Sequence, residues 1–328
     1  MNGIINIYKE KGFTSHDVVA KLRGILKMKK IGHTGTLDPD AEGVLPVCIG
    51  KATGLCEVFT DHDKVYDCEI LLGYETDTED ITGEILHTMD MSGVTKKEVM
   101  EAAMSFIGDY RQVPPMYSAI KVDGRKLYEL AREGKVIERA PRPVTVYEIT
   151  ELADGDDLHP EDGTFTMRMR IHCSKGTYIR SLCRDIGYRL GGYACMKSLV
   201  RVRMGRFELA DSVTLEKLEE LLKDVDKTDS AQMEEALSPV LMGFEDIFAG
   251  DLKAVVKEEQ KRLLENGNPL KINDFTVDTA DFARQVYEDS AFKNRWLCVY
   301  HPDRGLMGIY RRKENRTDQR LYPYKMFI

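Results

Sequence analysis

The stretch Gly32-His-Thr-Gly-Thr-Leu-Asp-Pro39, continued by Asp40-Ala-Glu-Gly43-Val-Leu-Pro46, holds the residues best suited to chemistry. Gly32 and Gly35 let the backbone approach a ligand, and Pro39 stiffens the chain behind Asp38. An aspartate between a basic segment and an apolar strand suits a polyanionic substrate, as a nucleophile or as a base. Asp before Pro is also a common turn former, and composition alone leaves that alternative standing. The stretch is no Walker loop, because it lacks the Gly-Lys-Ser/Thr ending. Metal chemistry has no ligand pattern to build on. The seven histidines include no H-E-x-x-H, and Asp38 has only Asp40 and Glu42 as near carboxylates. The seven cysteines form no C-x-x-C pair.

Cations crowd four tracts: Lys21 to Lys30, Lys121 to Arg142, Lys197 to Arg206, and Arg311 to Lys325. A single tract of this kind reads as a solvated face, but four together suit a phosphate backbone. Lys29 and Lys30, just ahead of the glycine-rich stretch, are candidates to touch phosphate.

The elements that must carry these residues follow from periodicity. A short strand opens the chain at 3–8, and Ser15 is placed to cap a helix with Val18, Val19, Leu22, Ile25 and Leu26 on one face. Residues 32–50 read as a loop running into a buried strand, and Tyr66–Gly73 as a strand before a polar turn at 75–83. Thr95–Ile107 is helical and Val113–Ile120 extended. Val144–Leu152 and Phe165–Cys173 form a hairpin around an acidic loop at 154–163. Tyr178–Leu190 is helical, and Leu199–Leu209 is a strand with alternating arginines. An acidic surface helix follows at 215–225. Trp296–Tyr300 and Leu306–Tyr310 flank a turn at 301–305. The reading is an α/β (α+β) mixed-sheet catalytic domain over 1–250 and a small β-rich domain over 251–328.

With 328 residues, 47 Lys+Arg against 55 Asp+Glu, 42% hydrophobic and 31% charged residues, the profile is that of a globular protein. It excludes disorder, collagen-like repeats and a disulfide-dense scaffold. No apolar run approaches the ~20 residues of a membrane span, and the first residues lack the layout of a signal peptide. With cysteines odd in number and scattered, the expected compartment is the cytoplasm.

Four stretches, taken together, resemble the TruB family of pseudouridine synthases, the bacterial enzymes for uridine 55 of tRNA. They are Lys11-Gly-Phe-Thr-Ser15-His-Asp-Val-Val19, the Gly32–Pro46 stretch, Gln112-Val-Pro-Pro-Met-Tyr-Ser-Ala-Ile-Lys121 with Lys126-Leu-Tyr128, and Cys173-Ser-Lys-Gly-Thr-Tyr-Ile-Arg180. They stand in the family's order and span most of residues 3–205. Glu10 departs from the family's usual proline, outside the chemistry.

The resemblance implies a tRNA pseudouridine synthase that flips a T-loop uridine, breaks its glycosidic bond and rejoins the base through C5. It implies no cofactor and no metal. Asp38 matches the family's catalytic aspartate, Arg180 the arginine that pairs with it, and Tyr66 the active-site tyrosine that stacks on the base and accepts a proton. His33 matches the histidine that inserts near the flipped nucleotide; Tyr178 and Leu199 match residues lining the uracil pocket. Residues 121–143 match a mobile segment that closes over the RNA, and 251–328 resemble, more loosely, a PUA-type RNA-binding module. The expected partner is the T-arm of tRNA, with no membrane and no obligate protein partner, so a monomer. The rival reading is an RNA-binding folding helper, which has no need of an intact Asp38–Tyr66–Arg180 set.

Overall fold

A computed structural model describes all residues except 153–157, 160–161, 289–295, 314–318 and 328. Arg316 and most of the expected acidic loop at 154–163 therefore lie outside the described residues.

A mixed sheet of eleven strands among the described residues runs through the chain's first three quarters. Along its main path the order is Leu241–Met242, Gly3–Lys9, Glu42–Ile49, Ala194–Met204, Lys64–Leu72, Thr164–Cys173, Arg142–Glu151 and Gly108–Gln112. Only the short contact between Glu42–Ile49 and Ala194–Met204 is parallel on this path. Strand alternation gives Lys64–Leu72 two unlike faces. Tyr66, Cys68, Ile70 and Leu72 join Met167, Met169 and Ile171 in an apolar core. The helices Ile179–Arg189 and Lys96–Met104 cover that face with Leu182, Cys183, Ile186, Val99 and Ala103. Val65 and Asp67 face the other way, where they line an open recess of about 670 Å³ with Glu148, Arg170, His172 and Arg203.

The helix Ser15–Leu26 packs its expected apolar face on the first strands. Its cap is Thr14, not Ser15. Asp17 stands at the third helical position, so the Thr14 hydroxyl accepts from Asp17 N at 3.0 Å while the Asp17 carboxylate accepts from Thr14 N at 2.8 Å. The Ser15 side chain is thereby free to turn inward. Residues 113–120 form no strand; they are held by long-range contacts described below. The acidic helix is Leu215–Leu221, and Leu215, Leu218 and Leu222 are buried against the Ser15–Leu26 helix.

A separate five-stranded sheet gathers Leu252–Val255, Leu297–His301, Gly305–Arg312, Arg320–Met326 and Leu270–Lys271. The expected hairpin is present, with Leu297 opposite Tyr310 and His301 opposite Gly305. Cys298, Ile309 and Phe327 of this sheet share a buried cluster with Ile4, Val44 and Phe207. Among the described residues no helix is long and apolar enough to cross a membrane.

Candidate active site

Asp38 sits in the loop between Ile31–His33 and Glu42–Ile49, and side chains from distant parts of the chain fix that loop by its backbone. The buried Ser15 hydroxyl accepts from Leu37 N at 2.9 Å and donates to Leu37 O at 3.3 Å. Lys9, fully buried, donates from Nζ to Pro39 O at 3.0 Å. At the far end Gly43 adopts φ +103°, and a Cβ there would meet the Arg201 carbonyl oxygen at 2.3 Å, so only glycine fits. Pinning the carbonyls on both sides of Asp38, and the Leu37 amide before it, leaves its carboxylate little freedom to wander.

Arg180 stands in the first turn of the Ile179–Arg189 helix with its side chain 5% exposed. Its Nε lies 2.9 Å from Asp38 Oδ2, and Nη2 donates to Asp38 Oδ1 at 3.3 Å. This is the forked, two-point pairing that suits guanidinium and carboxylate. Nη1 donates to Thr78 O at 2.9 Å and Nη2 to Tyr117 O at 2.9 Å, while Asp80 Oδ2 lies 3.6 Å away. The irregular 113–120 stretch thus delivers one backbone acceptor to the arginine. Asp38 keeps 40% of its side chain accessible, so the pair closes one side of the carboxylate and leaves the other open. Burial by its surroundings pushes the Asp38 carboxyl above the ordinary range; Arg180 pulls against this, and Asp80 adds to it.

Tyr66 lies beside this pair with Leu37 and Leu199 in the same buried cluster. Burial pushes its phenol up to about 12, against the pull of the neighbouring Arg201 cation. Leu199 pairs in register with Cys68, one side-chain step along the face from Tyr66. Tyr178 ends the loop before the Ile179–Arg189 helix. The buried Gln112 amide grips its backbone, accepting from Tyr178 N at 2.8 Å and donating to Tyr178 O at 2.9 Å. Burial raises the Tyr178 phenol as well. His33 is half-buried, with His16 edge-on at 5.3 Å and its own Nδ1 without a hydrogen-bond partner among the described residues. Burial, with help from His16 and Arg201, takes it down to about 4, so its ring is neutral at neutral pH.

The site therefore assembles Asp38, Arg180, Tyr66, Tyr178 and Leu199 along the covered face of the sheet, with His33 on the same glycine-rich loop. Lys29 and Lys30 stand apart on an exposed rim, where Lys29 joins Arg23 and Lys27 around a shallow recess of about 390 Å³. Arg201 departs from the sequence reading. The alternating arginines suggested a basic surface, yet Arg201 is 1% exposed. A bulge between Arg201 and Arg203 puts Arg201 opposite Tyr66 and Arg203 opposite Val65, on the other face. Lys197 and Arg203 are paired with Glu69 and Asp63. That tract is not a free cationic face. Lys9, Gln112 and Arg201 were invisible to motif reading in these roles, because their partners are backbone groups far away in sequence. In the 121–143 segment Arg125 and Lys135 both pair with Glu133, and Arg139 donates to Pro114 O at 3.1 Å. Among the described residues no group of three or more His, Cys, Asp or Glu is arranged to hold a metal ion.

The model of the N-terminal domain of TruB family pseudouridylate synthases matches residues 23–179, and that of the tRNA pseudouridylate synthase B C-terminal domain matches 180–248. A tRNA pseudouridine synthase B of Lachnoclostridium phytofermentans is 49% identical over 328 residues, covering 100% of both chains. One of Listeria monocytogenes is 43% identical over 303 residues, covering 92% of this chain and 94% of that one. Among solved structures, a Cbf5–Nop10–Gar1 complex matches with TM-score 0.68 and 24% identity, over 99% of this chain and 85% of that one. An H/ACA RNP bound to a substrate RNA containing 2′-deoxyuridine matches with TM-score 0.65 and 22% identity, over 99% and 85%. At such identity these two speak for the fold alone.

Proposed function

This chain belongs to the TruB family of pseudouridylate synthases, and on that premise we propose that it is a tRNA pseudouridine synthase acting on uridine 55 of the T-loop. The observation that carries the proposal is the fork between Arg180 and Asp38, open on one side, with Tyr66 and Leu199 in the buried cluster that also takes in Leu37 beside Asp38. Asp38 is the nucleophile. Burial would by itself favour a neutral carboxyl there, and Arg180 supplies the charge that keeps an anion within reach. Asp38 bonds to C1′ as the C1′–N1 bond breaks and the base departs; the base turns within the pocket, and as its C5 joins C1′ the Asp38–C1′ bond breaks and the carboxylate is regenerated. The C5 proton leaves and N1 gains one, so the product is an isomer and nothing is consumed. Tyr66 packs on the base and, protonated at neutral pH, relays that proton rather than acting as a free base.

Flipping a stacked nucleotide costs a few kcal/mol. Stacking and phosphate contacts offset it, and Lys29 and Lys30 are the cations we assign to phosphate. His33, neutral and half-buried on the glycine-rich loop, is the residue we assign to packing beside the flipped nucleotide. Residues 1–250 form the catalytic domain, with 121–143 closing over the RNA, and 251–328 a PUA-like RNA-binding domain. The enzyme works as a cytoplasmic monomer without cofactor. A folding helper would have no use for a buried arginine forked on an accessible aspartate.

The test is pseudouridine mapping on an unmodified tRNA transcript, with chelator present and no cofactor added. Pseudouridine at position 55, and none when that uridine is replaced by cytidine, is the expected result. Binding without pseudouridine anywhere in the transcript would contradict the proposal.

A further inference from the structure

Arg201 is the largest fully buried side chain in the molecule's described residues, and no carboxylate among those residues lies within ion-pair distance of it. Burying a guanidinium without a counter-charge costs several kcal/mol, and an apolar side chain of similar size would fill the same space more cheaply. The contacts it makes show what the cation is used for. Its Nε donates to Val44 O at 2.7 Å and its Nη2 to Gly35 O at 3.2 Å. These two carbonyls bracket the loop that carries Asp38. The Arg201 backbone meets the same loop at Gly43, its neighbour in the parallel ladder. On its other side Arg201 pairs across the strands with Tyr66, and its positive charge is felt at the Tyr66 phenol.

We propose that Arg201 is a positioning residue for the reaction: one buried guanidinium holds the two ends of the Asp38 loop in register with the strand that carries Tyr66. It rests on the reading of Asp38 and Tyr66 given above, and adds to it a residue that touches neither base nor ribose. Its charge is also felt at His33, Lys9 and Lys64, each of which it makes harder to protonate.

The experiment compares wild type, Asp38→Asn, Arg201→Lys and Arg201→Gln in single turnover at saturating enzyme on the tRNA transcript, with Kd and melting temperature measured for each. A misplacement of about 1 Å costs roughly a hundredfold, so Arg201→Gln should lose about that in rate constant while Kd stays within about threefold. Arg201→Lys keeps the charge but cannot bridge the Val44 and Gly35 carbonyls as a planar fork does, and should recover no more than about a tenth of the wild-type rate constant. The 13Cζ resonance of Tyr66, assigned by its absence in Tyr66→Phe, should move in both variants. Merely structural damage would lower the melting temperature and the active fraction, leaving the rate constant of folded enzyme and that resonance unchanged. A folded Arg201→Gln within about threefold of wild type in rate constant, a loss confined to Kd, or an unmoved Tyr66 resonance would overturn the proposal. If Arg201→Gln does not fold, Arg201→Lys at the wild-type rate constant overturns it. A wild type as inactive as Asp38→Asn would bring down the reading of the site, and Arg201 with it.

Discussion

Tyr66 and Asp67 are neighbours in one strand, and the two faces they point to treat charge in opposite ways. On the Tyr66 face the cations Arg180, Arg201 and Lys9 are buried and held largely by backbone carbonyls, with Asp38 the accessible anion. On the Asp67 face the same residue types are matched in pairs around an open recess. Arg170 donates to both Asp67 oxygens at 2.7 and 2.9 Å, and Asp63 binds His172 and Arg203. Arg170 and Arg203 are both partly exposed there. An open recess of about 670 Å³ thus lies on the Asp67 face, away from Asp38. Size of a hollow does not mark the site; buried charge that is only partly compensated does.

The comparison is broken most severely at Arg180. Arg180→Met leaves the half-open Asp38 and the more enclosed Asp80 without their cation. Removing one partner of a fully buried pair costs about 3–5 kcal/mol; the accessible side of Asp38 makes the loss smaller, but the denaturation midpoint should still fall and turnover should be lost. A variant as stable as wild type would show that the Tyr66 face tolerates charge no differently from its reverse.

His33 sharpens the same point through pH. Its folded-state pKa of about 4 lies below the ordinary histidine value, so the unfolded chain takes up the proton first as pH falls. The neutral ring's contribution is therefore present above about pH 6.5 and is lost as pH drops toward 4. Wild type should lose roughly 1–2 kcal/mol of stability from this residue between pH 7 and pH 5. His33→Asn should flatten that slope, as urea melts at the two pH values would register. An unchanged slope would place the ring in water.

The exposed rim should behave in the other way. Replacing Lys29 and Lys30 by Gln should leave stability and single-turnover rate nearly untouched. It should weaken tRNA binding and reduce its salt slope by up to ~2. A slope equal to wild type would mean that neither lysine meets phosphate. The smallest effect is expected on the Asp67 face, where Arg170→Ala breaks an accessible pair worth about 0–1 kcal/mol and should not alter the rate. A large loss of turnover there would erase the distinction between the faces.

How far the chain could be read in advance differs between local and long-range features. The strand at Lys64–Leu72, the helix after Tyr178 and the hairpin near the C-terminal end follow from alternation and turn chemistry, which act within a few residues. The Asp38, Tyr66 and Arg180 set was legible because whole motifs stand in order. Ser15 was misread as a cap because Asp17, two residues on, favours Thr14, and only the folded chain shows the hydroxyl turned to Leu37. Arg201 was misread because period-two alternation assumes an unbroken strand, and a bulge between Arg201 and Arg203 has no sequence mark. Gln112, Lys9 and the Tyr117 carbonyl do their work through backbone partners in other segments, and side-chain type carries no trace of that.

The most direct measurement is single turnover of Asp38→Asn on the tRNA transcript beside its binding constant. The change removes the attacking charge and leaves size and rim intact. Binding should stay within about tenfold of wild type, a change of ~1.4 kcal/mol, while no pseudouridine forms. Turnover approaching that of wild type would contradict the assignment of the chemistry to Asp38, and with it the claim that the Tyr66 face is where this protein acts.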